Sequence, residues 1–277
     1  MRLKDGIGRE TGMFLMRHTV SIVPHPYASD EPLELTPGMA LPWDVMPQYD
    51  THIGAGETLA DWYAREYEGF YEDHPGERVP EDFLLERIRP YVSGAVVADM
   101  GCGHAPHARD WIDGGAQKVF LVDPSTRMMQ LAKKRTKTLG GDITYRTADF
   151  LHAGIPDASC DVIVSSLSLH YNENLDDAFR EMHRMLKPSG RFFALVPHPD
   201  DAAFQMREQR DGRRFVKIEI DDDVFLEYPD HPMKAYGSKA VTDRFTAVES
   251  RAFSAADLKR DTDEPHDVMW YFQLQKR

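Results

Sequence analysis

The chain has 277 residues, a formal net charge of −13 and an ordinary globular composition, 42% hydrophobic and 29% charged. That length holds one α/β domain with extensions, and no stretch approaches the roughly 20 apolar residues of a membrane helix. With 46 acidic against 33 basic residues, nucleic acid is excluded as an expected partner, because most of that affinity comes from neutralising phosphates.

The opening MRLKDGIGRETG has glycine, acid and arginine where a secretory signal has an apolar core, so the cytoplasm is the expected compartment. Residues 1–80 carry Pro24, Pro26, Pro32, Pro37, Pro42 and Pro47, too often for a long regular element. They are expected to form an arm and lid with one helix near 56–70, where Leu59, Trp62, Tyr63, Glu66 and Phe70 recur at helical spacing. Such an arm can cross to a neighbouring subunit, a common route to a homo-oligomer.

From Pro80 the text becomes regular. PEDFLLERIRPY reads as a short helix closed by Pro90. The apolar run Val96-Val97-Ala98 is a strand closing on Asp99 and a glycine turn. A helix follows, with Ala105, Ala108, Trp111 and Ile112 on one face and Gly114 as its stop. Residues 118–122 form a buried-type strand ending at Asp123, and Ser125 caps a helix carrying Met128, Leu131 and Ala132. The basic run Lys133, Lys134, Arg135 and Lys137 reads as the solvated face of that helix. Residues 143–147 and 161–166 are the third and fourth strands. Asn174 opens a helix with Leu175, Ala178, Phe179, Met182, Met185 and Leu186 on its apolar face, ended by Lys187, Pro188 and Gly190, and residues 191–196 are the fifth strand. Strands alternating with helices at this spacing predict a doubly wound, mostly parallel sheet with helices on both faces. Beyond Pro199, residues 215–220 alternate like an exposed strand and 268–274 read as a closing strand. The stretch about 200–245 reads as an insertion near the substrate site, and its PDHPMKAYGSKAVTDRF has no clear element.

The residues that carry chemistry sit at the strand ends. In VVADMGCGHA, Gly101-Cys102-Gly103 lets the backbone approach a ligand, since glycine has no Cβ in the way. The third glycine of a dinucleotide fingerprint is replaced by Pro106, so the following helix need not cradle a pyrophosphate. Asp123 stands about 20 residues beyond the loop, where a carboxylate can accept both ribose hydroxyls. Asp149 ends the third strand and can accept an exocyclic amine of adenine, with Phe150 beside the ring. Ser165 and Ser166 end the fourth strand and face the same crevice. Each aspartate alone fits a cap or a turn. Together, in this order, they describe a nucleoside-binding edge.

The stretches VVADMGCGHA, FLVDPSTRMMQLAKKR, YRTADF, CDVIVSSLSLHY and AFREMHRMLKPSGRFFALVPHP, within about residues 81–199, resemble the class I S-adenosylmethionine-dependent methyltransferases. The likeness is to the small-molecule branch that includes the ubiquinone and menaquinone enzymes. The resemblance implies a Rossmann-like seven-stranded sheet whose last strand is antiparallel, a core over 81–277, and S-adenosylmethionine as cofactor with S-adenosylhomocysteine as product. It implies that Asp99, Gly101, Cys102 and Gly103 hold the methionine half, Asp123 with Pro124 and Met128 the ribose side, and Asp149 with Phe150 the adenine. Ser165, Ser166 and Leu167 would form the floor near the sulfonium, with Tyr49 as an aromatic over it.

Methyl transfer is an in-line displacement, so alignment is the main task, and a hydroxyl or acidic carbon acceptor also needs its proton removed. His170, in SSLSLHY, and His198, in VPHP, follow strands four and five and are the candidate bases; for each, packing is an equally good or better reading. Tyr63, Tyr67, Phe70 and Tyr71 read as core packing or as a lid over an apolar substrate. Glu219 and Asp221 to Asp223 read as a solvated acidic loop, Cys102 and Cys160 form no CxxC pair, and no metal is expected. SSLSLHY lacks the acidic set of metal-dependent catechol-type enzymes and the NPPY text of adenine and glutamine methyltransferases. The expected acceptor is a small, largely apolar specialised metabolite methylated on carbon, oxygen or nitrogen, with no nucleic-acid or membrane partner. The alternatives are a nicotinamide-dependent oxidoreductase on a Rossmann fold and a non-catalytic relative that only binds the cofactor.

Overall fold

A computed structural model describes residue 50 and residues 58–73, 75–198, 206–210, 213–221, 224–231, 235–259 and 267–277. Two helices precede the sheet, α1 (Leu59–Asp73) and α2 (Val79–Ile88). Strands β1 (Val96–Met100), β2 (Lys118–Asp123), β3 (Ile143–Thr147), β4 (Cys160–Ser166) and β5 (Leu186–Pro197) follow. Between them lie helices α3 (Ala108–Asp113), α4 (Thr126–Thr136) and α5 (Leu175–Met185). After β5 come β6 (Met206–Arg210), β7 (Arg213–Asp221), β8 (Val224–Pro229), α6 (Lys239–Thr242), β9 (Phe245–Ser254) and β10 (Asp267–Lys276).

The main sheet has seven strands in the order β3-β2-β1-β4-β5-β10-β9. Strands β1 to β5 pair in parallel, while β10 runs antiparallel to both β5 and β9. This is the expected mostly parallel sheet with its last strand reversed. The order changes direction between β1 and β4, which opens a crevice at their carboxyl ends.

The period of two along each strand explains why both faces are covered. On one face Ala98, Met100, Phe120, Val122, Ile163, Phe192 and Ala194 pack against Phe179, Met182 and Met185 of α5. On the other, Val97, Val119, Leu121, Val162, Val164, Phe193 and Leu195 pack against Leu84 and Ile88 of α2, Trp111 of α3 and Met129 of α4. Buried on both sides, these strands show no alternation, which is why they read as continuous apolar runs.

The structure departs from expectation around three elements. Helix α5 ends at Met185 and Leu186 already begins β5, with Ser189 in the left-handed region at φ 62°. Strand β7 is the centre of a separate three-stranded antiparallel sheet, β6-β7-β8. The edge strand β9, which the sequence did not suggest, completes the main sheet. No described helix is long and apolar enough to cross a membrane. The proline-rich arm, apart from Asp50, and residues 222 and 223 lie outside the described residues.

One buried polar contact joins the core to the crevice. Trp111 Nε1 donates to Asp99 Oδ2 at 2.9 Å, with both residues almost fully buried. Trp111→Phe removes that donor and leaves a void beside a buried carboxylate. A loss of about 2–4 kcal/mol is expected, read as a lowered urea midpoint at unchanged slope.

Candidate active site

The loop after β1 is held by its neighbour strand. Gly101 and Cys102 donate their N–H groups to the Val122 carbonyl at 2.7 and 2.9 Å. Gly101 has φ 71°, and a Cβ there would fall 2.3 Å from the Ser168 Cβ, so the loop itself requires glycine. Gly103 has φ 53° for a different reason: a Cβ there would meet only Met128 Sδ, 3.9 Å away, and would project into open space. The first glycine serves packing, and the second keeps room for a ligand. Ala105 (φ 59°) and Leu167 (φ 50°), both non-glycine, are also left-handed. Such strain persists only where surrounding bonds fix it and is concentrated at functional sites.

Asp123, at the end of β2, accepts the N–H of Gly103 at 2.9 Å and that of Ser125 at 2.9 Å. Burial raises its pKa to about 7, outweighing the two N–H donors, and the charges of Asp50 and Asp99 push the same way. Ser125 caps α4 by accepting from the Met128 N–H at 3.0 Å, and its own hydroxyl donates to Asp50 Oδ1 at 2.7 Å. Asp50 also accepts the Arg127 N–H at 3.1 Å, placing a second carboxylate on the positive end of α4. Arg127 then pairs with Asp61 of α1 and, chiefly through that hydrogen bond, lowers the Asp61 pKa to about 2. Helix α1 is thereby tethered over the crevice.

The cleft has a volume of about 370 Å³. Asp99, Gly101, Cys102, Gly103, Asp123, Pro124, Met128, Asp149, Phe150, Ser166 and Leu167 all line it, so these expected cofactor residues do converge. Ser165 lies beneath instead, completely buried, with its hydroxyl 2.8 Å from that of Ser168. Ser168 donates to the Met100 carbonyl at 2.7 Å, so Ser165 helps brace the loop after β4 against the end of β1. Asp149 accepts from the N–H groups of Leu151 and His152, both at 2.8 Å, and pairs with the His152 ring at 2.9 Å. His152 is a cavity residue the sequence reading missed, although its position three residues beyond Asp149 was a signal.

Two of the expected catalytic groups stand away from that lining. His170 is buried in the turn Leu169–Tyr171, its ring 4.3 Å from Tyr171 and 4.5 Å from Tyr228. Burial lowers its pKa to about 3. His198 follows β5, where its N–H donates to the Val268 carbonyl at 2.9 Å and its ring lies 6.5 Å from Trp270. Tyr49 lies outside the described residues.

The same cavity carries a cluster in which the tyrosines read as packing or a lid, Tyr63 and Tyr67, meet His104, Glu81 and His107, which the sequence reading did not single out. Tyr63 and Tyr67 of α1 and His104 form a ring group, with Tyr67 and His104 centroids 5.2 Å apart. Beside them is Glu81 of α2, 4% exposed. The Tyr67 hydroxyl is 2.8 Å from both Glu81 oxygens, the Ser166 hydroxyl donates to Oε1 at 3.4 Å, and His107 Nε2 lies 3.8 Å from Oε1. Burial pushes the Glu81 pKa up, but His107, the Tyr67 donor and Arg78 outweigh it and hold the carboxyl below its usual range. Burial pushes His107 down, but Glu81, Asp99 and Asp110 outweigh it and raise its pKa. The pair thus favours an ionised Glu81 and shifts His107 toward its protonated form. Among the described residues, no group of three His, Cys, Asp or Glu is placed to hold a metal ion.

Residues 98–194 match the model of a family described as a methyltransferase domain. The chain is 28% identical over 134 residues to a malonyl-[acyl-carrier protein] O-methyltransferase of Enterobacter lignolyticus, covering 48% of this chain and 51% of the relative. It is 33% identical over 79 residues to a ubiquinone/menaquinone biosynthesis C-methyltransferase of Rubrivivax gelatinosus, covering 28% and 30%. The crystal structure of an S-adenosylmethionine-dependent methyltransferase from Mesorhizobium loti superposes with a TM-score of 0.53 at 25% identity, covering 69% of this chain and 95% of that one. The chain spans between 30% and 51% of the length of the curated relatives it matches here.

S-adenosylmethionine is the cofactor these likenesses imply, and the residues present fit it. Gly103 leaves room at the loop, while Asp123 offers a buried carboxylate with lone pairs beyond its two backbone donors. Ribose hydroxyls donating to Asp123 favour its ionised form, so binding below pH 7 must expel the proton that burial retains there. The affinity for S-adenosylhomocysteine is therefore expected to fall as pH drops through about 7. Asp123→Asn should weaken binding roughly 10- to 100-fold and flatten that dependence. Calorimetry between pH 5.5 and 8.5 checks both.

Proposed function

We propose that this chain, built around an S-adenosylmethionine-dependent methyltransferase domain, moves the cofactor's methyl group to a carbon, oxygen or nitrogen of a small, largely apolar metabolite. The observation that carries this reading is a single cavity lined by both the glycine loop with Asp123 and the rings of Tyr63, Tyr67 and Tyr171. When bound, S-adenosylmethionine supplies a methyl group already activated by a positively charged sulfur. What remains for the protein is to align an acceptor with that methyl and to keep water out.

The charge of the lining supports the choice of acceptor. Glu81, Asp99, Asp123, Asp149 and Glu173 contribute five carboxylates, and no Lys or Arg lines the cavity among the described residues. Such a field suits a cationic sulfonium and opposes an anionic acceptor. The tyrosines of α1 offer broad apolar surface with a polar tip, as a shelf for a ring or chain needs. In this reading residues 1–80 act as a lid whose described part is chiefly Asp50 and α1, and the enzyme works in the cytoplasm, where its two buried, unpaired cysteines stay reduced. The homo-oligomer expected through the arm remains part of the proposal.

A nicotinamide enzyme would need a helix N-terminus at the glycine loop to receive a pyrophosphate. Here Pro106 takes the third glycine position and α3 begins only at Ala108, with a distorted turn between. A non-catalytic binder would have no use for a buried ionised pair such as Glu81 and His107, which costs desolvation.

Calorimetry with S-adenosylhomocysteine and NAD tests the reading. S-adenosylhomocysteine is expected to bind at micromolar concentrations and NAD not at all, and Gly103→Asn, a residue that tolerates the left-handed region, should weaken binding at least tenfold while leaving the thermal midpoint within a few degrees. Binding of NAD alone would sink the proposal.

A further inference from the structure

We propose that the methyl acceptor is a hydroxyl compound whose O–H sits between Glu81 and His107, and that Glu81 receives its proton. This inference rests on the methyltransferase reading above and names the acceptor class within it.

The geometry leaves a place for one atom. At 3.8 Å, Glu81 Oε1 and His107 Nε2 are too far apart to hydrogen-bond each other. His107 is 6% exposed, lines the cavity, and its Nε2 has no hydrogen-bond partner among the described residues. A buried donor of that kind is expensive unless a ligand or water completes it. One oxygen placed between the two groups can bond to both.

Donor and acceptor capacity selects which group fits. The Glu81 carboxylate accepts and the buried, unbonded His107 Nε2 donates through its N–H, so a partner that bridges them must both donate and accept. A hydroxyl does both. An aliphatic amine, an ammonium at neutral pH, offers only donors, and an ether offers only an acceptor. Tyr63, Tyr67 and Tyr171 surround the same space and suit an aromatic or alicyclic body behind the hydroxyl.

The proton count closes on these residues. A lone pair of the acceptor oxygen forms the new O–C bond, and the S–C bond breaks with its electron pair kept by sulfur. The O–H proton passes to the Glu81 carboxylate, its bonding pair remaining on oxygen. The sulfonium charge and the Glu81 charge disappear together, which an interior of low polarity favours.

The test uses the full chain saturated with S-adenosylhomocysteine and three probes: phenol, anisole and benzylammonium. Calorimetry is expected to show phenol binding at least tenfold more tightly than anisole, with benzylammonium weaker than phenol. Glu81→Gln should reduce the phenol preference to less than threefold while leaving anisole and S-adenosylhomocysteine affinities unchanged, which a merely structural Glu81 would not do. If that variant does not fold, His107→Gln carries the same test. Equal binding of phenol and anisole, no binding of phenol, a preference for benzylammonium, or a preference that survives both substitutions each overturns the proposal. Failure of S-adenosylhomocysteine to bind would instead overturn the methyltransferase reading.

Discussion

Everything at the carboxyl edge of the sheet depends on one buried carboxylate. Asp123 ends a strand whose four preceding residues are all buried, so the backbone delivers it nearly buried to the edge of the crevice. There it gathers the N–H of the glycine loop and the N–H that opens α4. Those two bonds fix the distance between the β1 loop and the β2 helix and hold the crevice to its shape. They do not fully offset the cost of burial, which is why the carboxyl remains reluctant to ionise. A ligand that brings hydroxyl donors completes what the fold leaves unfinished.

The same corner of the molecule couples the two halves of the site. Asp50 and Ser125 satisfy the first turn of α4, and Arg127 on that turn pairs with Asp61 at the start of α1. Helix α1 carries Tyr63 and Tyr67 over the cavity, and Tyr67 in turn bonds Glu81. The Asp123 corner and the Glu81 cluster are thus linked through a short run of polar contacts. The Arg127 and Asp61 side chains are partly exposed, so their pairing positions the helix more than it stabilises the fold.

The cofactor half was legible because it is written in local text. Strands β1, β2 and β4 are unbroken apolar runs, and Gly103, Asp123 and Asp149 fall directly after strands, where topology alone puts them in one crevice. The acceptor half was not. Glu81 sits in PEDFLLERIRPY among other acids, and its chemistry arises from Tyr67, 14 residues before it, and Ser166, 85 residues after it. Nothing at those separations is periodic. His170 drew attention by following a strand end, yet a one-turn helix carries it toward Tyr228 rather than among the cavity-lining side chains. Strand β9 was missed because only Phe245 and Phe253 of its ten residues are buried, so an edge strand leaves almost no apolar signature. The small sheet around β7 was half visible, since its central strand alternates while its partners do not announce themselves.

The account stands on a shared cavity in which the cofactor's sulfur faces the aromatic side. A crystal structure of the full chain with S-adenosylhomocysteine measures this directly. The account predicts both ribose hydroxyls within hydrogen-bond distance of Asp123 and the sulfur turned toward Tyr63, Tyr67 and Glu81. A ribose bound elsewhere, or a sulfur turned away from those residues, would contradict it.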